Sequence, residues 1–187
     1  EDTDFDHSTL AAFTPADTEL VQRERLVTSR AAENLFWLGR YTERAENSAR
    51  LARITLGALH GEEEPSIAQL MWLGQLAESA GLVPQCAPTP LQDCAEFERQ
   101  LIQHLADPDL PSVGHALRKL RLAATALRER LSPEHWSFIK LAENRFAQEC
   151  APLRGSATLA EADALHALGQ LSRTLAAVTG AQQDRMW

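Results

Sequence analysis

The sequence predicts an all-α protein: a helical bundle of about six helices that follows an irregular N-terminal arm. Three observations support this prediction. Apolar residues recur at spacings of three and four, and capping hydroxyls, prolines and glycines divide the chain at regular intervals. In addition, no segment shows the alternation of β-branched residues that is typical of a strand. Short connections between such helices favour a bundle.

Residues 1–26 differ from the rest of the chain. They mix acidic residues, threonines and a proline without sustained periodicity, which predicts a linker or extended arm. Residues 27–187 are expected to form the helical domain. At 187 residues with 44% hydrophobic content, the chain can build one domain with a sizeable core.

Each predicted helix begins at a capping hydroxyl or a proline and ends near a glycine or before a proline. Thr28 or Ser29 caps the first helix, and Pro65 and Thr89-Pro90 open the second and third. The expected spans are 29 to about 60, 65 to about 81, 89 to about 106, 112 to 131, 132 to about 150, and 158 to about 179.

Charge and cysteine content limit the partners and the compartment. The net charge of -8 makes nucleic acid an unsuitable partner for the chain as a whole. No apolar run reaches the roughly 18 residues that would span a membrane, and Glu1 to Asp6 are too acidic for a secretory leader. Three scattered cysteines fit neither a disulfide framework nor a zinc motif. We therefore expect a cytoplasmic protein.

The first helix carries a continuous stripe of apolar and small residues on one face. The spacing alternates between three and four over four heptads, which predicts a core-facing side. Small residues in the middle of the stripe would allow a neighbouring helix to approach closely. The stripe consists of Ala31, Leu35, Leu38, Thr42, Ala45, Ala49, Ala52, Leu56 and Leu59.

The opposite face of the same helix combines aromatic, apolar and charged side chains, with Leu51 among them. This mixture predicts burial against another element or a partner. Gly39 within the helix also suggests a close neighbour, because glycine costs about 1 kcal/mol there relative to alanine. The predicted ligand- or partner-binding residues are Glu33, Trp37, Arg40, Glu43, Arg44 and Asn47.

Two interpretations of the charges remain open. In the first, Arg40–Glu43 and Glu46–Arg50 are ordinary helical ion pairs that form a structural network. In the second, Arg40 and Arg44, one turn apart, clamp a carboxylate or phosphate.

The segment Ser29–Leu51 resembles the start of the Alpha-E family of bacterial helical domains, whose Glu-Arg motif corresponds here to Glu43-Arg44. The segment reads SRAAENLFWLGRYTERAENSARL, and a weaker match covers Leu127–Trp136, LRERLSPEHW. Leu122–Thr125 departs from the Glu-Asn-Ala-Arg-like run of the family. Because the family continues into a second Glu-Arg helix, we expect this chain to be a truncated or shortened member.

The resemblance implies a setting rather than an activity. Such domains occur beside or fused to circularly permuted ATP-grasp proteins, which typically join a carboxylate to an amine through an acyl phosphate. The resemblance therefore implies an ATP-grasp domain or protein as partner, with a peptide substrate as a further candidate. It implies no catalytic residue.

Other site chemistries find little support in the sequence. A di-iron bundle needs Glu-x-x-His on two helices, and the chain offers only Asp163-x-x-His166 as a near match. The six histidines are scattered and are expected at the surface or at caps, so we predict no metal and no cofactor. Phosphate-binding glycine loops and a nucleophile elbow are absent from the sequence.

The sequence thus predicts a non-catalytic interaction or accessory domain of an ATP-grasp-linked, amide-forming system. An enzyme, or an anion- or nucleotide-binding domain that uses Arg40, Glu43 and Arg44, is the first alternative. A self-associating structural bundle is the second.

Overall fold

The computed structural model describes residues 28–61, 65–154 and 160–183. These ranges contain no strand and form six α-helices with two short 3-10 turns, which confirms the all-α prediction. The arm expected at residues 1–26 and the cap expected at Thr158 lie outside the described residues. The helices are α1 Ser29–Leu59, α2 Ile67–Ser79, α3 Cys94–His104, α4 Val113–Ala126, α5 Pro133–Cys150 and α6 Ala160–Gln183; the turns are Arg128–Arg130 and Pro152–Arg154.

Four of the helices form a ring around the core. α1 and α5 each pack against both α4 and α6, so every helix of the ring has two neighbours. α1 and α6 run antiparallel, since His60 at the end of α1 meets Glu161 at the start of α6, and Glu46 meets Thr179 further along. α2 and α3 lie in the crossover from α1 to α4, and α3 contacts both α1 and α6.

The predicted capping residues begin three of the six helices. Thr28 caps α1 by accepting a hydrogen bond from the Ala31 amide at 3.2 Å, and Ser112 and Ser132 cap α4 and α5 in the same way. These side chains satisfy amide groups that have no partner within the helix. The local sequence therefore determines where these three helices begin.

Three boundaries differ from the predicted ones. α2 is capped by Ser66 in a reciprocal capping box with Gln69, one residue after Pro65. α3 begins after Asp93, because the Asp93 side chain accepts the Glu96 amide, while Thr89 heads a separate turn. α4 ends at Ala126, and the 3-10 turn Arg128–Arg130 occupies the last part of the span predicted for this helix.

The predicted stripe of α1 faces the core. Leu38, Thr42, Leu56 and the three small residues between them are buried, and Ala45, Ala49 and Ala52 are completely inaccessible. Small side chains at these positions bring α4 and α6 close to the α1 backbone. At the two ends of the stripe, Ala31 and Leu59 are partly buried and pack against the core. The prediction is wrong for Leu35, which is 43% exposed.

The connection between α4 and α5 contains buried side chains. Leu127 and Leu131 are buried on either side of the 3-10 turn, and His135 is buried in the first turn of α5. The Arg128 guanidinium lies 5.5 Å from the centre of the Trp136 ring. The second segment of the family resemblance, Leu127–Trp136, therefore has a structural role.

None of the helices in the described ranges combines the length and the apolar content that crossing a bilayer requires.

Candidate functional site

The predicted binding face of α1 is open to solvent. Its six residues are all exposed, whereas Leu51 is half-buried and packs against the core. Of the two expected covers, another element or a partner, no element in the described ranges covers the six residues, and a partner stays a prediction. The ring of four helices explains this, since each helix turns only one side inward. The face consists of Glu33, Trp37, Arg40, Glu43, Arg44 and Asn47.

Three aromatic rings cluster at the start of this face. Phe36 and Trp37 meet edge to face with ring centres 5.2 Å apart, and Trp37 stacks on Tyr41 at 5.6 Å. Phe36 is 63% exposed and lies one turn before Arg40 on the open side of the helix. Sequence reasoning missed Phe36, although its position in the helical period puts it on this face, between Asn47 and Glu43.

An ion pair lies next to the aromatic cluster. Arg40 Nη1 is 3.0 Å from Glu43 Oε2, and the two side chains are 51% and 58% exposed, which confirms the predicted i,i+3 pair. The predicted Glu46–Arg50 pair is wrong, because Glu46 instead accepts a hydrogen bond from Thr179 of α6. A clamp formed by Arg40 and Arg44 would therefore have to compete with Glu43 for the first guanidinium.

Gly39 has no close neighbour in the described part of the chain. A Cβ added there would meet nothing within 4 Å beyond its own helix, so no described segment is the close neighbour that the glycine suggested. Gly39 lies one turn after Phe36 and one turn before Glu43, on an exposed part of α1. No packing within the described chain explains a glycine at this position.

A second apolar surface lies on α2, outside the predicted site. Met71 and Leu76 are exposed, and Ile67 and Trp72 are about two-thirds exposed. Next to it, a cavity of about 170 Å³ lies between α2, the segment 83–91 and Phe97 of α3. The sequence contained a signal for this surface, because apolar residues surround α2 on all sides and one helix of a bundle buries only part of them.

The histidines occupy several different environments. His104 and His115 contact backbone carbonyl oxygens, at Gln100 and Pro108, as expected of residues near helix ends. His135 is buried within the first turn of α5, so the expectation of a surface or capping position is wrong for it. His60 lies between two carboxylates from other helices, a juxtaposition that the sequence did not reveal.

Two groups in the first turns of α3 have shifted pKa values. Hydrogen bonds from Arg99 and then Gln100 lower the pKa of Glu96 to about 2. Partial burial, followed by the negative charges of Glu98 and Asp93, raises the pKa of the Cys94 thiol. Cys94 is therefore a poorer thiolate than an isolated cysteine, which argues against a nucleophilic role.

Comparisons with known proteins agree with the fold and the motif. Uncharacterized proteins from Mycobacterium bovis and from two strains of Mycobacterium tuberculosis are each 33% identical to this chain over 159 residues. The match covers 79% of this chain but only 17% of each of these curated relatives. No solved structure matches the chain.

The Alpha-E family, described as a predicted alpha-helical domain with a conserved ER motif, matches residues 27–187. Glu43 and Arg44 supply adjacent residues of that type on the exposed face of α1. The chain belongs to the Alpha-E family.

Proposed function

We propose that this chain is a non-catalytic interaction module of an ATP-grasp-linked system that forms peptide or other amide bonds. It binds the ATP-grasp domain through the aromatic-ionic surface of α1, which we define as the predicted face together with Phe36 and Gly39. Membership of the Alpha-E family supports this assignment, because domains of this kind accompany ATP-grasp proteins. Cys86, Cys94 and Cys150 form no disulfide in the described ranges, which favours the cytoplasm, where thiols stay reduced.

The exposed aromatic cluster is the observation on which the proposal rests. Phe36 is 63% exposed, and Trp37 and Leu35 beside it are also exposed. Neighbouring exposed apolar side chains mark binding surfaces on proteins that are otherwise polar outside. Aromatic side chains and arginine are also the residues that contribute most to protein–protein affinity.

Gly39 gives a second, independent argument. Glycine inside a helix costs about 1 kcal/mol relative to alanine, and no described neighbour needs the space of its missing side chain. A partner backbone that approaches α1 between Phe36 and Glu43 accounts for this cost. Gly57, which also has open space around it, provides a control within the same helix.

The charged pair suits recognition better than catalysis. Arg40 and Glu43 are each about half exposed, whereas catalytic electrostatics depend on a site that excludes water. Neither Arg40 nor Glu43 lines the cavity beside α2 or a second cavity of about 350 Å³ between α4 and α5. An exposed ion pair contributes little stability, so its charges remain available to fix the orientation of a partner.

Binding of the purified chain to the ATP-grasp domain of the same system, measured by calorimetry, tests the proposal. We expect Trp37→Ala, Glu43→Gln and Arg44→Ala each to weaken association at least tenfold. Leu122→Ala and Leu141→Ala, which truncate exposed leucines on α4 and α5, serve as controls and should leave it unchanged. Undiminished binding in the Glu43 and Arg44 variants would contradict the proposal.

A second comparison uses glycine. Gly39→Ala and Gly57→Ala should both raise the melting temperature, but only Gly39→Ala should weaken association. Equal binding by the two variants removes the argument from Gly39.

Two further measurements address the alternatives. Turnover of ATP by the purified chain, lost in Arg44→Ala, would establish the enzyme instead. A molar mass that rises with concentration in light scattering, together with no binding to the ATP-grasp domain, would establish the self-associating bundle.

A further inference from the structure

Three helices bring one imidazole and two carboxylates together at one end of the bundle. His60 ends α1, Glu98 lies in α3, and Glu161 lies in the first turn of α6. His60 Nε2 is 2.9 Å from Glu98 Oε2, and His60 Nδ1 is 3.3 Å from Glu161 Oε2. We call these residues the His60 triad. Its members come from distant parts of the sequence, so the tertiary fold alone assembles it.

The spacing of the triad suits a metal ion. Each residue offers one ligand atom within 4.8 Å of the other two. Bonds of about 2.1 Å in a tetrahedral site separate ligands by roughly 3.4 Å. The triad is therefore wider than a closed site. Glu98 and Glu161 face different nitrogens of the imidazole, so an ion bound to one nitrogen requires the carboxylate at the other to turn toward it.

The charges of the triad also favour a dication. In the described ranges neither Glu98 nor Glu161 forms an ion pair with a lysine or arginine, and His60 is the basic group between them. A protonated imidazole offsets one of the two negative charges. A divalent ion bound to the neutral imidazole offsets both.

Partial burial separates the triad from the ordinary acidic surface. The side chains of His60, Glu98 and Glu161 are 39%, 20% and 29% exposed, so each is held partly inside while water retains access from one side. A site of three protein ligands with one open side is typical of zinc with water in its fourth position. Imidazole among the ligands favours zinc over magnesium or calcium, which prefer oxygen ligands.

We propose that the His60 triad binds a divalent transition-metal ion, with Zn²⁺ the best fit. Bound there, the ion ties the end of α1 to α3 and to the start of α6. The family description does not include this site, and it does not depend on the docking surface of α1. Coordination in the folded chain stabilises the arrangement of the three helices, because the ion binds the folded and not the unfolded chain.

Calorimetry and thermal unfolding with Zn²⁺ test the site. The parent protein carries Cys86→Ser and Cys94→Ser to remove the two exposed thiols, and no affinity tag. We expect Zn²⁺ to raise the melting temperature, EDTA to reverse the rise, and Mg²⁺ to have no effect. His60→Ala, Glu98→Gln and Glu161→Gln should each weaken Zn²⁺ binding at least tenfold and abolish the stabilisation.

His166→Ala is the matched control, because it removes an exposed histidine from α6 and should leave Zn²⁺ affinity within twofold. Circular dichroism checks that each variant keeps its helices; if His60→Ala unfolds, the two glutamine variants decide the question. Zn²⁺ binding that is absent, or equal in the parent and in a folded triad variant, overturns the proposal. So does a protein whose stability responds to pH through the triad but not to Zn²⁺ or EDTA.

Discussion

Thr179 of α6 donates a hydrogen bond to the carboxylate of Glu46 in α1, across 133 residues of sequence and at 3.0 Å. The same hydroxyl lies 3.1 Å from the carbonyl oxygen of Leu175, so its proton is shared between an acceptor in its own helix and one in the neighbouring helix. Together with the His60 triad, this contact fixes the register of the antiparallel α1–α6 pair.

Replacing Thr179 by valine should lower the free energy of unfolding by about 1–2 kcal/mol, because the half-buried Glu46 carboxylate loses its partner. Thr174→Val is the matched control, since the Thr174 hydroxyl bonds only to the Gln170 carbonyl of its own helix among the described contacts. Urea unfolding followed by circular dichroism measures both. Equal losses in the two variants would mean that the contact between helices adds nothing.

Gly114 should be intolerant of substitution. A Cβ there would lie 2.7 Å from the Ala106 carbonyl carbon and 2.8 Å from its Cα, so backbone has to move. We expect Gly114→Ala to destabilise the protein by about 1–3 kcal/mol, as overpacking does. Gly57→Ala, with open space around it, should instead stabilise by up to about 1 kcal/mol. Thermal unfolding of the two variants should therefore shift in opposite directions.

The small residues of α1 should be equally sensitive to size. Ala49 is completely inaccessible on the side of α1 that α4 and α6 approach. Ala49→Leu should therefore lower the free energy of unfolding by about 1–3 kcal/mol. Ala32→Leu makes the same change at an exposed position of the same helix and should be nearly neutral. A similar melting temperature for both variants would contradict the close packing of α1.

The thiol of Cys94 should react slowly because its pKa is raised by burial and then by Glu98 and Asp93. A raised pKa leaves less thiolate at pH 8, so iodoacetamide should modify Cys94 more slowly in the folded than in the unfolded protein. Glu98→Gln removes one of the negative charges and should speed the reaction.

Glu96→Gln, on the same helix, is the control for that measurement and should leave the rate unchanged. Mass spectrometry of the peptide that contains Cys94 gives the rates. No acceleration in Glu98→Gln would show that this charge does not act on the thiol.

Local signals determined much of the fold. The α1 stripe and the caps at Thr28, Ser112 and Ser132 depend on residues within one or two turns, so the sequence alone predicted them. The predicted start of α3 was wrong because two capping signals compete within a few residues. Thr89 with Pro90 forms only a turn, and Asp93 caps the helix.

The candidate sites were predictable only in part. Trp37, Arg40 and Glu43 share one helix, so helical geometry placed them together, although solvent rather than another helix covers them. Glu46 had two possible partners, and the one in the neighbouring helix is formed in place of Arg50. His60 and Glu161 meet only because α1 and α6 are antiparallel, a relationship that no local pattern encodes.

The length of α1 separates the two proposed sites. From Phe36 to His60 the helix advances about 36 Å, at 1.5 Å for each residue. Charges in solution are screened beyond about 8 Å at physiological salt, so an ion at the far end exerts almost no direct force on a protein bound near Phe36. Zn²⁺ binding at one end of α1 and partner binding at the other should therefore each leave the affinity of the other unchanged, unless α1 itself bends.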